Sequence, residues 1–232
     1  EEYAIECSFI KVLGSELIDF AADEGVQIHG GYGYSADYEI EHIYRDVRIN
    51  RIYEGTNEIN RLIMPGLLLK RALRGELALF DSQAAHGQTE LPILQQELQI
   101  ITTLKKLTVS ILAQTAQKYG KALDNEQEVL ARIADMMMLA YAAESAILRT
   151  AKLHARGQSS ELLQAMSQAY TASAVEKSSA AAREALSLFL EGDALQKQLA
   201  QLAKIQPNPV NVIALRRIVA EAVLKVTGYP IG

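Results

Sequence analysis

The chain has 232 residues, 49% of them hydrophobic, and its 23 Lys and Arg against 28 Asp and Glu give a formal net charge of −5. That length accommodates one large domain or two small ones with buried cores, and the acidic balance argues against a domain built to neutralise phosphate backbones, so no nucleic-acid partner is expected. The longest strongly apolar run, Met136 to Ala143, is far shorter than the roughly 20 residues needed to cross a bilayer, and the single cysteine, Cys7, has no partner for an internal disulfide.

From Tyr3 the apolar residues Tyr3, Cys7, Ile10, Leu13, Leu17 and Ala21 recur every three to four positions, which predicts a first helix to about Glu24. Cys7 falls in this stripe and reads as a small buried hydrophobe. No start methionine or cleavable leader opens the chain, and Glu1 begins directly in the periodic pattern, as expected of a piece cut from a longer protein. Gly25 is read as the end of the helix, and His29-Gly-Gly-Tyr-Gly-Tyr34 then packs three glycines into a shaped loop. A short helix is predicted over Glu39 to Val47. The Glu54-Gly55-Thr56 turn leads into another helix, with Thr56 or Asn57 as its cap. Pro65-Gly66 predicts a kink or break within it.

Between Gly75 and Pro92 the periodicity lapses, which places a domain boundary near residue 85: residues 1–84 form one unit and 85–232 a second. Beyond it, Leu94/Leu98/Ile101/Leu104/Ile111, Leu130/Ile133/Met137/Tyr141/Leu148 and Leu162/Met166/Tyr170/Ala174/Leu186/Phe189 form three long stripes at helical period, expected to pack as a bundle. Gly157 and Gly192 are read as terminators of the second and third stripes, and Pro207-Asn-Pro209 as a break before a last helix over Val210 to Val226. With no strand alternation anywhere, the fold class is all-α.

On residues alone, a Glu-Gly-Thr turn is an ordinary turn with a solvated carboxylate, and the glycine loop lacks the preceding strand of a dinucleotide fingerprint. The four histidines, His29, His42, His86 and His154, lack the paired spacing of metal ligands, so no metal is expected. Glu144 lies beside the apolar stripe of its helix and calls for a Lys or Arg partner from a facing helix.

Three segments in order, Gln27-Ile-His-Gly-Gly-Tyr-Gly-Tyr34, Tyr44-Arg-Asp46 and Ile52-Tyr-Glu-Gly-Thr-Asn-Glu-Ile59, resemble the C-terminal helical domain of the acyl-CoA dehydrogenase family. The resemblance covers roughly residues 1 to 75 and implies the end of a four-helix domain followed by an added helical domain, the latter a feature of the very-long-chain type. It implies that Glu54 takes the α-proton of an acyl-CoA thioester while hydride leaves the β-carbon for FAD, giving a trans-2-enoyl-CoA in fatty-acid β-oxidation. It places Tyr53 and Gly55 against the substrate, Thr56 and Glu58 on the flavin, and Gln27, Gly30 and Gly31 on the adenine dinucleotide of a neighbouring subunit. Arg45-Asp46 takes a fold role. Such a base wants desolvation, which raises a carboxylate's basicity, and free amides at a helix start suit phosphate oxygens.

A glutamate in this turn favours a straight-chain substrate over a branched one, because isovaleryl-type members keep their base elsewhere. The implied partners are an acyl-CoA substrate, an electron-transferring flavoprotein and a second copy in a homodimer, with peripheral membrane contact through the added domain. The implied setting is the cytoplasm of a bacterium or the mitochondrion of a eukaryote. An acyl-CoA oxidase, or a helical docking module with vestigial catalysis, is the competing expectation. The chain by itself is expected neither to bind FAD tightly nor to turn over.

Overall fold

The computed structural model of the protein describes residues 2–77, 90–158, 160–205, 210–226 and 228–231. The described residues hold eight α-helices and no strand: α1 (Ala4–His29), α2 (Glu39–Val47), α3 (Asn57–Leu73), α4 (Gln95–Tyr119), α5 (Gln127–Ala155), α6 (Glu161–Phe189), α7 (Gly192–Leu202) and α8 (Val212–Leu224). They fall into two compact units, Glu1–Leu77 and Ala78–Gly232. The expected boundary near residue 85, His86 and Pro207-Asn-Pro209 lie outside the described residues.

In the first unit α1 packs against both α2 and α3. Its N-terminal half lies antiparallel to α3: Asn57 bonds to Ser15 at the start of α3, and the Arg71 guanidinium donates to the Glu2 carbonyl at 2.7 Å near its end. The face that α1 buries carries Ile5, Phe9, Val12 and Ala22. The expected stripe is instead exposed at Tyr3, Cys7, Ile10, Leu17 and Ala21, so Cys7 is not a buried hydrophobe. The reason is that α1 is apolar on two faces, and α2 and α3 cover only one.

Gly25 does not stop α1, which continues to His29. A Cβ at Gly25 would sit 2.7 Å from Ile40 Cδ1, so glycine there admits the close approach of α2. Helix α3 runs through Pro65 and Gly66 without a break, with Pro65 buried. It ends at Leu73, and Gly75 just beyond, with φ 72°, allows its own amide to bond the Ala72 carbonyl and that of Glu76 to bond the Arg71 carbonyl, a paired closure of the last turn.

In the second unit α4, α5 and α6 form the expected bundle, with α7 and α8 packed on α6. Short connections make consecutive helices antiparallel neighbours. Helices α4 and α6 are therefore parallel, and two hydrogen bonds hold that register: Gln168 Nε2 donates to Glu97 at 3.0 Å, and Lys118 Nζ to the Phe189 carbonyl at 2.9 Å. The α4 stripe is buried as read, at Leu94, Leu98, Ile101, Leu104 and Ile111. On α5 the core takes Ile147, leaving the expected Leu148 40% exposed. On α6 small residues dominate the buried face, among them Ala165, Ser167, Ala174, Ser178 and Ala182, while Tyr170 is 37% exposed. Short side chains allow α5 and α6 to approach closely, and there the Thr150 and Ser167 hydroxyls share a bond of 2.8 Å.

The expected partner of Glu144 is Lys105 of α4, at 2.6 Å. Gly157 ends α5 at φ 75° in the same paired closure as Gly75. Gly192 does not end the third stripe: α6 stops at Phe189, and Gly192, with φ 55°, opens α7. No helix among the described residues is long and apolar enough to cross a membrane.

Candidate active site

The turn between α2 and α3 has the most unusual backbone in the first unit. A short 3-10 turn, Arg48–Arg51, ends in Ile52 and Tyr53, and then two successive residues enter the left-handed region, Glu54 at φ 56° and Gly55 at φ 78°. For glycine this conformation is free, whereas for a residue with a Cβ it costs on the order of 1–2 kcal/mol. Such an outlier persists only where its surroundings over-determine it, and outliers of this kind concentrate at functional sites. Glu54 is one of only two non-glycine residues with positive φ among those described.

The surroundings are a polar network between α1 and the start of α3. The Gly55 carbonyl accepts from Lys11 Nζ at 2.7 Å and from Asn60 Nδ2 at 2.8 Å. Lys11 donates a second bond of 2.7 Å to Asn57 Oδ1, and Asn57 Nδ2 donates to Ser15 Oγ at 2.9 Å. Asn57, Asn60 and Ser15 are all buried. Glu16 and Arg61 add an ion pair of 2.8 Å at the edge. A Cβ on Gly55 would lie 3.1 Å from Asn60 Nδ2, so the glycine meets both a torsional and a steric demand.

Beyond the turn, Thr56 caps α3, its hydroxyl accepting from the Ile59 amide at 3.2 Å. Glu58 in the first helical turn has its carboxyl pKa lowered from the ordinary value, chiefly by a hydrogen bond from its own backbone amide, which burial opposes, with further lowering by the Thr56 hydroxyl and the charges of Arg61 and Arg51. Tyr53 donates its hydroxyl to Asn50 at 2.6 Å. The structure thus brings Tyr53, Glu54, Gly55, Thr56 and Glu58 together on one turn. Of these only Thr56 is partly covered within this chain; Glu54 itself is exposed.

Gln27, Gly30 and Gly31 lie elsewhere. They occupy the last turn of α1 and the 3-10 turn Gly30–Tyr34 that follows it. Measured from Lys11 and Ser15, which hold the Glu54 turn, Gln27 is 12 to 16 residues further along one helix, or about 18–24 Å. The two groups are therefore separate patches of the first unit. Within the glycine loop the three glycines differ. Gly30 has φ 59°, and a Cβ on Gly33 would fall 2.6 Å from the Val26 carbonyl, whereas Gly31 has neither constraint. Nothing among the described residues requires glycine at Gly31.

Arg45 and Asp46 do not pair with each other. Arg45 binds Glu41 at 2.7 Å and Asp46 binds His42 Nδ1 at 3.0 Å, each one helical turn back on exposed α2. His29 bonds the Gly25 carbonyl through Nδ1 at 2.8 Å. An open groove beside α2, lined by Asp37, Tyr38, Glu39, His42 and Asp46 among others, contains none of the expected site residues. No group of three metal-ligating side chains exists among the described residues.

Lys11, Ser15, Asn57 and Asn60 were not legible as site residues. The bonds that join Lys11 and Ser15 to the turn and to Asn57 span more than 40 positions in sequence, whereas Asn60 reaches only the turn five residues before it. The one local signal was the run of polar residues on a helix face that continues into the buried stripe.

Two family profiles with the same description, acyl-CoA dehydrogenase, C-terminal domain, match residues 1–66 and residues 103–204. The chain is similar to a probable acyl-CoA dehydrogenase of Bacillus subtilis (strain 168), 45% identical over 243 aligned positions that cover 99% of this chain and 41% of that protein. A very long-chain specific acyl-CoA dehydrogenase, mitochondrial, of Rattus norvegicus is 30% identical over 68% of this chain and 28% of its own length. Among solved structures, an acyl-CoA dehydrogenase complexed with FAD from Bacillus anthracis superposes with a TM-score of 0.89 at 44% identity, over 97% of this chain and 40% of that one. The chain thus spans less than half the length of the relatives it matches.

Proposed function

The chain belongs to the acyl-CoA dehydrogenase family, carrying its C-terminal helical part, and on that premise we propose that in the full-length protein it supplies the catalytic base of a straight-chain acyl-CoA dehydrogenase. The observation that carries the reading is the Glu54–Gly55 turn: a carboxylate in a left-handed conformation, on the last residues before a helix, with its neighbouring carbonyl fastened to α1.

The Glu54 carboxylate removes the α-proton of the thioester. The electron pair of that C–H bond becomes the new α,β double bond as hydride departs from the β-carbon, leaving a trans-2-enoyl-CoA. An α-proton is only weakly acidic, so the base must be in contact with it and out of water. Glu54 is exposed within this chain; the bound thioester and the rest of the cleft provide its desolvation. Gly55 leaves room for the thioester beside the backbone, and Tyr53 lines the same approach.

FAD fits the donor set at both patches: the Thr56 hydroxyl and the start of α3 at one, and the exposed Gln27 amide with the unencumbered backbone of Gly30 and Gly31 at the other. When bound, FAD supplies the acceptor for the hydride. Thr56 and Glu58 hold the flavin of their own subunit. Gln27, Gly30 and Gly31, about 18–24 Å away along α1, serve the cofactor of a second copy, which makes the working unit a homodimer. The intact protein then passes electrons to an electron-transferring flavoprotein within fatty-acid β-oxidation.

A long acyl chain is the substrate that the second unit favours, since the rat very long-chain relative extends its similarity across 68% of this chain. Peripheral membrane contact is assigned to α8, which exposes Ile213, Val223 and Leu224 together with Arg216 and Arg217, the mixture an interfacial helix uses.

The test uses full-length protein and palmitoyl-CoA under anaerobic conditions. Glu54→Gln is expected to retain FAD and fail to bleach it. Bleaching at the normal rate by that variant removes Glu54 from the mechanism.

A further inference from the structure

We infer that Lys11 is a positioning residue for the proton-abstracting turn, acting through the Gly55 carbonyl and Asn57 to keep Glu54 in its left-handed conformation. The inference rests on the reading of Glu54 as the base. It concerns a different residue, on a different helix, that never touches substrate.

Three observations lead to it. The first is the conformation. Glu54 and Gly55 both have positive φ, and a turn with a non-glycine residue in that region relaxes unless something outside it opposes relaxation. The second is the connectivity. Lys11 Nζ reaches the turn with two bonds of 2.7 Å, one to the main chain between Glu54 and the helix and one to the first residue of α3. Both are charge-assisted, the shorter and stronger kind. The third is the foundation beneath it. Asn57 is 1% exposed and is itself held by Ser15, so the ammonium grips a rigid part of the molecule on one side and the turn on the other.

Asn60 also bonds the Gly55 carbonyl, but it belongs to α3 and moves with the turn. Lys11 stands on α1, so it references the turn to the rest of the first unit. Without it, the Glu54–Gly55 segment is tied to α1 only through its flanks, Asn57 to Ser15 and Arg51 to Asp19, and loses the bond from α1 to its own main chain. A base displaced by about 1 Å from its near-attack position loses on the order of a hundredfold in rate.

The measurement is stopped-flow reduction of FAD in the full-length protein by palmitoyl-CoA and by its α,α-dideuterated form, for wild type, Lys11→Met and Lys11→Arg, with Glu54→Gln as reference. Lys11→Met is expected to keep its FAD content, to melt modestly earlier for the two bonds lost, to slow flavin reduction by about ten- to a hundredfold, and to show a larger deuterium effect. The larger isotope effect follows because proton removal becomes the slower part of the step. Lys11→Arg, whose fork can donate to both oxygens, is expected to recover most of the rate. If Lys11→Met does not fold, Lys11→Gln, which keeps one neutral donor, is read by the same ratio.

Wild-type reduction by Lys11→Met overturns the inference, and so does a slowing that comes with lost FAD and an unchanged isotope effect. The two readings fail separately. If Glu54→Gln is inert while Lys11→Met is normal, only the positioning role falls. If Glu54→Gln reduces flavin normally, the base assignment falls and takes the positioning role with it.

Discussion

Two serines on the buried face of α6 make opposite predictions for the same substitution. Ser178 is 0% exposed and its hydroxyl has no hydrogen-bond partner among the described residues, while Ser167 is 2% exposed and its hydroxyl bonds Thr150 Oγ at 2.8 Å and the Ala146 carbonyl at 3.3 Å. Replacing either by Ala gains about 0.5 kcal/mol of helix propensity. At Ser178 the change also removes a hydroxyl that lost its water without replacement, a cost of about 1 kcal/mol or more, so Ser178→Ala should stabilise by about 1–2 kcal/mol. At Ser167 it removes two bonds at about 0.5–1.5 kcal/mol each and leaves Thr150 poorly satisfied, so after the propensity gain Ser167→Ala should destabilise by about 0.5–2.5 kcal/mol.

Because the two share a helix and are both buried, propensity and side-chain size cancel in the comparison, and only the hydrogen bonding differs. Native-state hydrogen exchange of the α5 and α6 amides measures the opening free energy of this unit without requiring the whole protein to unfold in one step. Slower exchange in Ser178→Ala and faster exchange in Ser167→Ala is the expected result. Exchange that quickens in both variants would refute the reasoning, since the unpartnered hydroxyl would then be contributing to stability.

Several other outcomes test the first unit and the pairing between α4 and α5. Gly33→Ala should loosen the 3-10 turn by about 1–3 kcal/mol, because its Cβ meets the Val26 carbonyl at 2.6 Å, while Gly31→Ala should leave stability unchanged and lower FAD retention, read from flavin absorbance after dialysis. Glu144→Gln breaks a partly exposed pair with Lys105 and should cost about 0.2–1 kcal/mol at low salt and less at high salt, followed by melting in a salt series. Glu58 has its folded pKa depressed, so its contribution is present above the unfolded value and is lost as pH falls through the folded one. Acid titration of the α3 amide protection should therefore show a loss, below the usual glutamate range, that Glu58→Gln lacks.

The second unit was readable because it closes on itself: the stripes of α4 bury each apolar residue that the 3.6-residue period selects, and Glu144 found the cation its burial demanded. The first unit was less so. On α1 the period picked Tyr3, Cys7, Ile10 and Leu17, a real apolar face that α2 and α3 leave uncovered. Gly25 looked like a stop because local patterning cannot distinguish a glycine that ends a helix from one that admits Ile40 of a neighbour. The turn itself was visible in the letters Glu54-Gly55-Thr56, but its left-handed glutamate was not, and neither were the anchors Lys11 and Asn57, because bonds across more than 40 residues leave no mark on spacing.

Helix α1 connects the two patches proposed to face the cofactor as a single unbroken rod, with Lys11 toward one end and Gln27 at the other. Adding one residue between them would swing the far patch by about 100° relative to the near one and advance it by about 1.5 Å, and no loop lies between to take up the twist. Length changes in this stretch are therefore forbidden in a way that substitutions are not: a screen of single-codon insertions from Glu16 to Gly25 should recover no cofactor-retaining clone, whereas the same screen just after Gly75 should recover many.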